Sequence, residues 1–202
     1  MNELIIKAPR LSKSLKEISG FTDEEIEYFL SFHVRKFIKR KEHILRTGEI
    51  SCFTSYVVKG CLRRYIIDEH AKEIIVNFAL EDYWIGDLES LILRKPTVYY
   101  VQALEDSELL TLSYENYTRL YNDMPKFRIY QDSKTQRNHY MTLKRLSSAK
   151  SATPEEKYLR LMEEQPQLFL RIPLHNIASY LGIEPESLSR LRKRMSSKPK
   201  NS

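Results

Sequence analysis

The stretch IPLHNIASYLGIEPESLSRLRKR, residues 172–194, has the layout of two short helices joined by a tight turn. Ile177, Ala178 and Leu181 give a first helix over about Leu174 to Leu181 its apolar face, and Gly182 supplies the left-handed residue such a helix end wants. Ile183 can fill the angle between the helices. Pro185 suits the first position of a second helix, where the N–H is unpaired anyway, and Leu188 and Leu191 follow at core spacing. Glu186, Ser187, Ser189, Arg190, Lys193 and Arg194 are left facing outward. Arginine grips guanine through two hydrogen bonds, glutamate accepts from a cytosine amine, and serine does either, so this set suits a recognition helix on double-stranded DNA. An ordinary helical hairpin with a solvated basic face would carry the same pattern.

Charge placement bears on that choice. From Ser187 onward the chain carries Arg190, Arg192, Lys193, Arg194, Lys198 and Lys200 and no acidic residue, which equals the formal net charge of +6. The rest of the chain is close to neutral. A basic cluster confined to the end that holds the two helices is what release of counterions from DNA would exploit. After Met195 a lysine-rich unstructured tail accounts for the residues equally well.

At 202 residues and 42% hydrophobic, the chain can bury one sizeable core and a second small one, so two domains are expected. No apolar run approaches membrane-spanning length, and MNELIIKAPRLSK lacks the basic region, apolar core and cleavage site of a signal peptide. A cytoplasmic protein without membrane partners is the expectation. Cys52 and Cys61 support no disulfide framework, and buried free thiols are expected.

The first half reads as sheet. Val34 to Ile38, His43 to Leu45, Tyr56 to Val58, Leu62 to Ile67, Glu73 to Phe78, Val98 to Ala103 and Glu108 to Leu112 are short runs rich in β-branched and aromatic residues, divided by pieces such as RTGE and DEHAKE. Such spacing predicts an antiparallel roll or sandwich. Before it, Asp23 to Phe32 has helical spacing, with Thr22 and Glu25 as a capping box. After it come a short helix over Tyr114 to Asn122 and a long one from Pro125 to about Ser148. A loop KSAT then leads to a helix capped by Thr153 with Pro154 and Glu156. The expected division is residues 1–124 as sensor domain, 125–150 as connecting helix and hinge, and 151–202 as the helix-turn-helix domain with its basic tail.

This order of parts resembles the Crp/Fnr family of bacterial transcription regulators, and the resemblance covers nearly the whole chain. It is carried by SYVVKGCLRRYIIDEHAKEIIVNF, by WIGDLESL followed by TVYYVQAL, and by IASYLGIEPESLSRLRKR, whose wording is similar to members from Bacteroidetes-type bacteria; Gly48, Gly60 and Gly86 fall where such a roll turns. The resemblance implies an α+β fold: an N-terminal antiparallel β-roll of cyclic-nucleotide-binding type, a long connecting helix, and a C-terminal winged-helix-like helix-turn-helix domain with its wing reduced or absent. It also implies a homodimer on the long helix, double-stranded DNA and RNA polymerase as partners, and no catalysis. Glu186 and Arg190 match the family's principal base-reading positions, flanked by Ser187, Ser189 and Lys193, while Glu184 stands where relatives carry a cap residue.

Members that bind cyclic nucleotides use a G-E-L cassette followed by an R-[ST]-A segment. Aligned without gaps, Gly86, Asp87 and Leu88 fall on the first, and Thr97, Val98 and Tyr99 on the second. Thr97 in place of arginine removes the cation that neutralises the cyclic phosphate, and Asp87 is one methylene shorter than the glutamate that accepts from the ribose. Arg94 and Lys95 lie nearby in sequence. The degenerate cassette makes cyclic AMP an unexpected effector, and leaves the effector unidentified or absent.

Other sensors of the family fare no better. An iron–sulfur version needs four cysteine ligands, and this chain has two. His33, His43, His70, His139 and His175 show no paired spacing for haem or another metal, so neither cofactor nor metal is expected. On the long helix Ile129, Tyr140, Leu143 and Leu146 form a rough apolar stripe, interrupted by Ser133, Lys134, Gln136 and Arg137. A sensor or scaffold that has lost DNA reading remains the alternative function. A metal-dependent cupin-like enzyme lacks its histidine and carboxylate set.

Overall fold

The computed structural model describes residues 8–196, with backbone alone for 145, 146, 148–151 and 196. Lys198, Lys200 and the region where a wing would follow lie outside the described residues, as does the side chain of Leu146. The described chain runs α1 (Pro9–Ser19), α2 (Asp23–Ser31), β1 (His33–Ile38), β2 (His43–Leu45), β3 (Phe53–Lys59), β4 (Leu62–Ile67), β5 (Glu73–Ala79), β6 (Trp84–Gly86), α3 (Leu88–Leu93), β7 (Tyr100–Ala103), β8 (Ser107–Ser113), α4 (Tyr114–Asp123), α5 (Pro125–Ser151), α6 (Pro154–Glu164), α7 (Leu168–Arg171), α8 (Leu174–Leu181) and α9 (Pro185–Ser196). Two compact units result, one from residues 8–66 and 76–138, the other from 67–75 and 139–196. The division falls inside α5, and the tip of the β4–β5 hairpin belongs to the second unit. No helix among the described residues is long and apolar enough to cross a membrane.

In the first unit the strands form two four-stranded sheets, ordered β1-β8-β3-β6 and β2-β7-β4-β5. Pairing is antiparallel at β1–β8, β3–β8, β3–β6, β2–β7 and β4–β7. Side chains alternate across a strand, and the first sheet uses both of its faces. Val57 and Leu109 point between the sheets with Leu62, Val101 and Ala103. Tyr56, Leu110 and Leu112 point the other way, into a helical layer made by Leu11 and Leu15 of α1, Ile26, Phe29 and Leu30 of α2, Leu120 of α4, and Phe127 and Tyr130 of α5. The antiparallel roll, long helix and C-terminal helices expected from the sequence are therefore the architecture observed.

Several details differ from the sequence reading. Helix α1 was not expected, although Leu11, Leu15 and Ile18 stand at helical spacing. Strand β7 begins at Tyr100 rather than Val98, because the residues before it are held in a loop, where Thr97 N donates to Glu49 O and Gly48 N to Thr97 O. Helix α5 runs on through Ser151, so the first two residues of the expected KSAT loop are helical. Cys61 is buried as expected but Cys52 is exposed in the loop before β3, and both are free. At the β3–β4 turn, a Cβ on Gly60 would fall 2.7 Å from the Ser107 backbone, and its φ of +112° is left-handed, so no other residue fits.

His33, at the start of β1, is the least satisfied polar group of this unit. Its Nδ1 faces Phe29 O at 3.0 Å, while Nε2 is buried without a hydrogen-bond partner between the rings of Phe29 and Trp84. Burial lowers its pKa from 6.5 to about 4. Above pH 6.5 the ring is neutral folded or unfolded; below it only the unfolded chain gains the proton, so stability falls as pH drops toward 4. Urea unfolding across that range should lose roughly 3 kcal/mol on account of this residue, and His33→Leu should abolish that share of the loss.

Candidate nucleic-acid interface and sensor cassette

The second unit contains the helices α6 to α9, which carry the residues expected to read DNA. Helix α6 starts in a reciprocal cap, Glu156 N donating to Thr153 Oγ1 and Thr153 N to Glu156 Oε2. Tyr158 and Leu161 from α6, Ile177 and Ala178 from α8, and Leu188 and Leu191 from α9 are buried as expected, joined by Leu168 of α7, which was not expected. Leu159 and Met162, also expected in this core, are exposed and Leu181 is half-buried. Helix α8 ends at Gly182 with φ +65°, where Ile183 N returns to Ala178 O. This bond turns the chain and drops buried Ile183 into the corner between α8 and α9.

With Leu188 and Leu191 fixed inward, 3.6 residues per turn places Glu186, Arg190 and Lys193 on the opposite, exposed face of α9. Ser189 and Arg194 are exposed on its flanks and Ser187 is half-buried, with Arg190 NH2 3.3 Å from Ser187 Oγ. Arg194 is ion-paired with Glu155 of α6, which ties the C-terminal end of α9 to the helix behind it. All six residues expected on the reading surface thus lie on one helix, five of them open to solvent.

The cassette residues are brought together in the first unit, in a form that completes its own bonding. Gly86 ends β6 and Asp87 caps α3, its Oδ1 accepting from Ser90 N. The other carboxylate oxygen accepts the hydroxyl of Thr97 at 2.6 Å, and Thr97 Oγ1 in turn accepts from Tyr99 N. Both side chains are buried. Ser90 extends the knot by accepting from Ser51 N and donating to Lys95 O. Leu88 packs against the helical core, while Val98 turns outward and is 63% exposed. Arg94 does not turn into the cassette: it donates to Ser51 O and lies over the Tyr114 ring.

A cation does reach the cassette, from a residue of the expected strand Leu62 to Ile67 that sequence reading did not single out. Arg64 of β4 donates to Gly86 O at 3.0 Å and to Asn77 Oδ1 at 2.8 Å, with its guanidinium 4.6 Å from the centre of the Tyr99 ring. The signal was the alternation in LRRYII, which sends Leu62 and Arg64 to one face of β4 and Arg63 and Tyr65 to the other.

The described residues thus combine an antiparallel roll with a C-terminal pair of helices joined by a tight turn. Residues 35–124 match the family described as the cyclic nucleotide-binding domain. The cAMP-activated global transcriptional regulator CRP of Salmonella typhimurium is 24% identical over 183 residues, spanning 85% of this chain and 87% of that protein. FixK2 from Bradyrhizobium japonicum superposes with a TM-score of 0.72 at 16% identity over 82% of this chain and 85% of its own. The global regulator CLP of Xanthomonas campestris gives 0.71 at 16% identity over 85% and 90%. The chain thus carries a region similar to the cyclic nucleotide-binding domain and is similar to CRP along most of its length.

If the Asp87–Thr97 bond is what closes the cassette, Asp87→Ala removes a helix cap and orphans a buried hydroxyl. It should lower unfolding free energy by about 1–3 kcal/mol in urea titrations. Thr97→Val keeps the shape and should cost less. Unchanged midpoints in both would show that the knot holds nothing.

Proposed function

We propose that this chain is a sequence-specific transcription regulator that binds double-stranded DNA as a homodimer. The observation that carries the reading is the face of α9 on which Glu186, Arg190 and Lys193 stand clear of the core, in a helix whose other side is locked by Leu188, Leu191 and Ile183. Glu186 and Arg190 would read base edges, and Ser187, Ser189, Lys193 and Arg194 would hold phosphates or flank them. The protein acts in the cytoplasm without catalysis, with RNA polymerase as its further partner, as the family's regulators do.

Dimerisation is supported by α5. Ile129, Ser133, Gln136, Tyr140 and Leu143 recur at intervals of three and four along one stripe. Ile129, Tyr140 and Leu143 are each more than half exposed, an unusual state for such side chains that a second helix would relieve. One recognition helix covers few base pairs, and a two-fold pair doubles the contacts.

Cyclic AMP is not the effector in this reading. The position that would neutralise its phosphate is Thr97, whose hydroxyl is already committed to Asp87, and the cation nearest the cassette, Arg64, is engaged with Gly86 and Asn77. CLP is described as responsive to cyclic di-GMP, so the fold is compatible with effectors other than cyclic AMP.

Selection of random duplexes by the purified protein tests the reading. It should enrich a palindrome with half-sites about one helical turn apart; no enrichment under any condition would remove it. Arg190→Ala should cost about 1–3 kcal/mol at one base position, whereas Lys193→Ala should weaken binding to all sequences and flatten the salt dependence. Equal effects of the two on every sequence would argue against base reading by Arg190. Saturating cyclic AMP should leave thermal unfolding unchanged, where a ligand at a hundredfold excess over its Kd would add about 2.7 kcal/mol.

A further inference from the structure

The tip of the β4–β5 hairpin lies in the second unit with the reading head, and its contacts fall on the DNA-facing end of that head. Among the described residues β5 is the last strand of its sheet. The Ser179 hydroxyl of α8 takes both roles: it accepts from Ile75 N at 3.1 Å and donates to Glu73 O at 2.9 Å. Lys72, at the foot of the turn, places its ammonium 2.8 Å from Glu184 Oε1. Glu184 immediately precedes Pro185, the first residue of α9, and the N-terminal end of a recognition helix is the end that enters the major groove.

The tip itself is rigid and acidic. Asp68 Oδ1 accepts from His70 N and Lys72 N, and the backbone closes between Asp68 N and Lys72 O. Those N–H donors, Lys72's first, hold the Asp68 carboxyl below the usual carboxylate range. With Glu69 and Glu73 the tip carries three carboxylates against one lysine, and that lysine is paired with Glu184. A phosphate backbone approaching the start of α9 would meet both the bulk and the negative charge of this hairpin.

We infer that the 68–75 hairpin is an autoinhibitory clasp: it competes with DNA for the N-terminal edge of the recognition helix, and DNA binding requires its release from Ser179 and Glu184. The inference rests on the reading of α8 and α9 as a DNA-binding unit. It gives β5 a place in control, because the same strand carries Asn77, the partner of Arg64 at the cassette.

Two charge-neutral variants open the clasp. Ser179→Ala deletes the edge hydrogen bonds, and the pair Lys72→Gln with Glu184→Gln deletes the ion pair at constant net charge. Affinity for the selected duplex, read by fluorescence anisotropy, should rise about two- to fivefold in each and further when they are combined. Ser179→Thr, which keeps the hydroxyl, should stay near the parent. Equal or weaker affinity in the neutral variants, with folding intact by circular dichroism, would overturn the clasp. Hydrogen exchange at the Ile75 amide without DNA separates the two ideas: faster exchange in Ser179→Ala shows that the contact exists in solution. If no protein, parent or variant, retains any duplex, the DNA reading fails and takes the competition with it. If the parent binds and responds to Arg190→Ala while the clasp variants do not tighten, only the clasp fails.

Discussion

In the first unit the start of the long helix is held by the packing of Phe127 and Tyr130, by Lys126 on Glu25, and by a hydrogen-bonded aromatic contact between the Trp84 indole and Tyr130. Trp84 Nε1 donates to the Tyr130 hydroxyl at 3.2 Å, and Tyr130 is fully buried. Burial raises the pKa of that hydroxyl, which keeps it a neutral hydrogen-bonding group. Trp84 opens β6, a strand of three residues in which each has a separate task. The first holds α5, Ile85 fills the space between the sheets, and Gly86 begins the cassette. Any displacement of Gly86 is therefore felt within two residues by the group that fixes the long helix. Tyr56 edges onto the same indole and donates to Asp82, which also receives Arg10 of α1, so the contact sits in a polar and aromatic network whose members brace one another.

That short strand makes the chemistry of the cassette matter beyond ligand binding. A cassette waiting for an anionic ligand would hold donors with no partner inside the protein, and desolvating them would cost free energy until the ligand arrived. Here the buried Asp87 and Thr97 satisfy each other, and Ser90 ties them to the loops at Ser51 and Lys95. The result favours one ordered conformation without a ligand. Arg64 adds a brace from β4 to Gly86 and stacks on Tyr99.

Most of the fold was legible because it depends on local signals that repeat. Short runs of β-branched and aromatic residues between turn-like pieces identified seven strands, and capping boxes at Thr22 and Thr153 located two helix starts to the residue. The three-residue β6 and six-residue α3 escaped because so short an element shows no clear period, and the eleven-residue α1 escaped despite its helical spacing. The reading face of α9 was legible for the same reason as the strands, since Leu188 and Leu191 fix which side is buried. Arg64, Lys72 and Ser179 were not, because their partners lie 22, 112 and 104 residues away in sequence. Nothing local distinguishes a lysine in a hairpin turn that meets a helix from one that meets water.

The scale of the hairpin contact suits control better than architecture. Two neutral hydrogen bonds through Ser179 contribute about 0.5–1.5 kcal/mol each, and coupling between regulatory sites typically amounts to about 1–3 kcal/mol. The Lys72–Glu184 pair is solvent-exposed and adds a salt-sensitive part. A hydrophobic seam at the same place would shut the reading head in a state that no phosphate backbone could open. The groups present at the seam are polar and replaceable: water can take the place of Glu184 on Lys72 and of Ser179 on the edge of β5. Release therefore exchanges partners rather than stripping them. This lets a moderate gain in DNA contacts move the equilibrium, and lets a change at Asn77 on the same strand bias it.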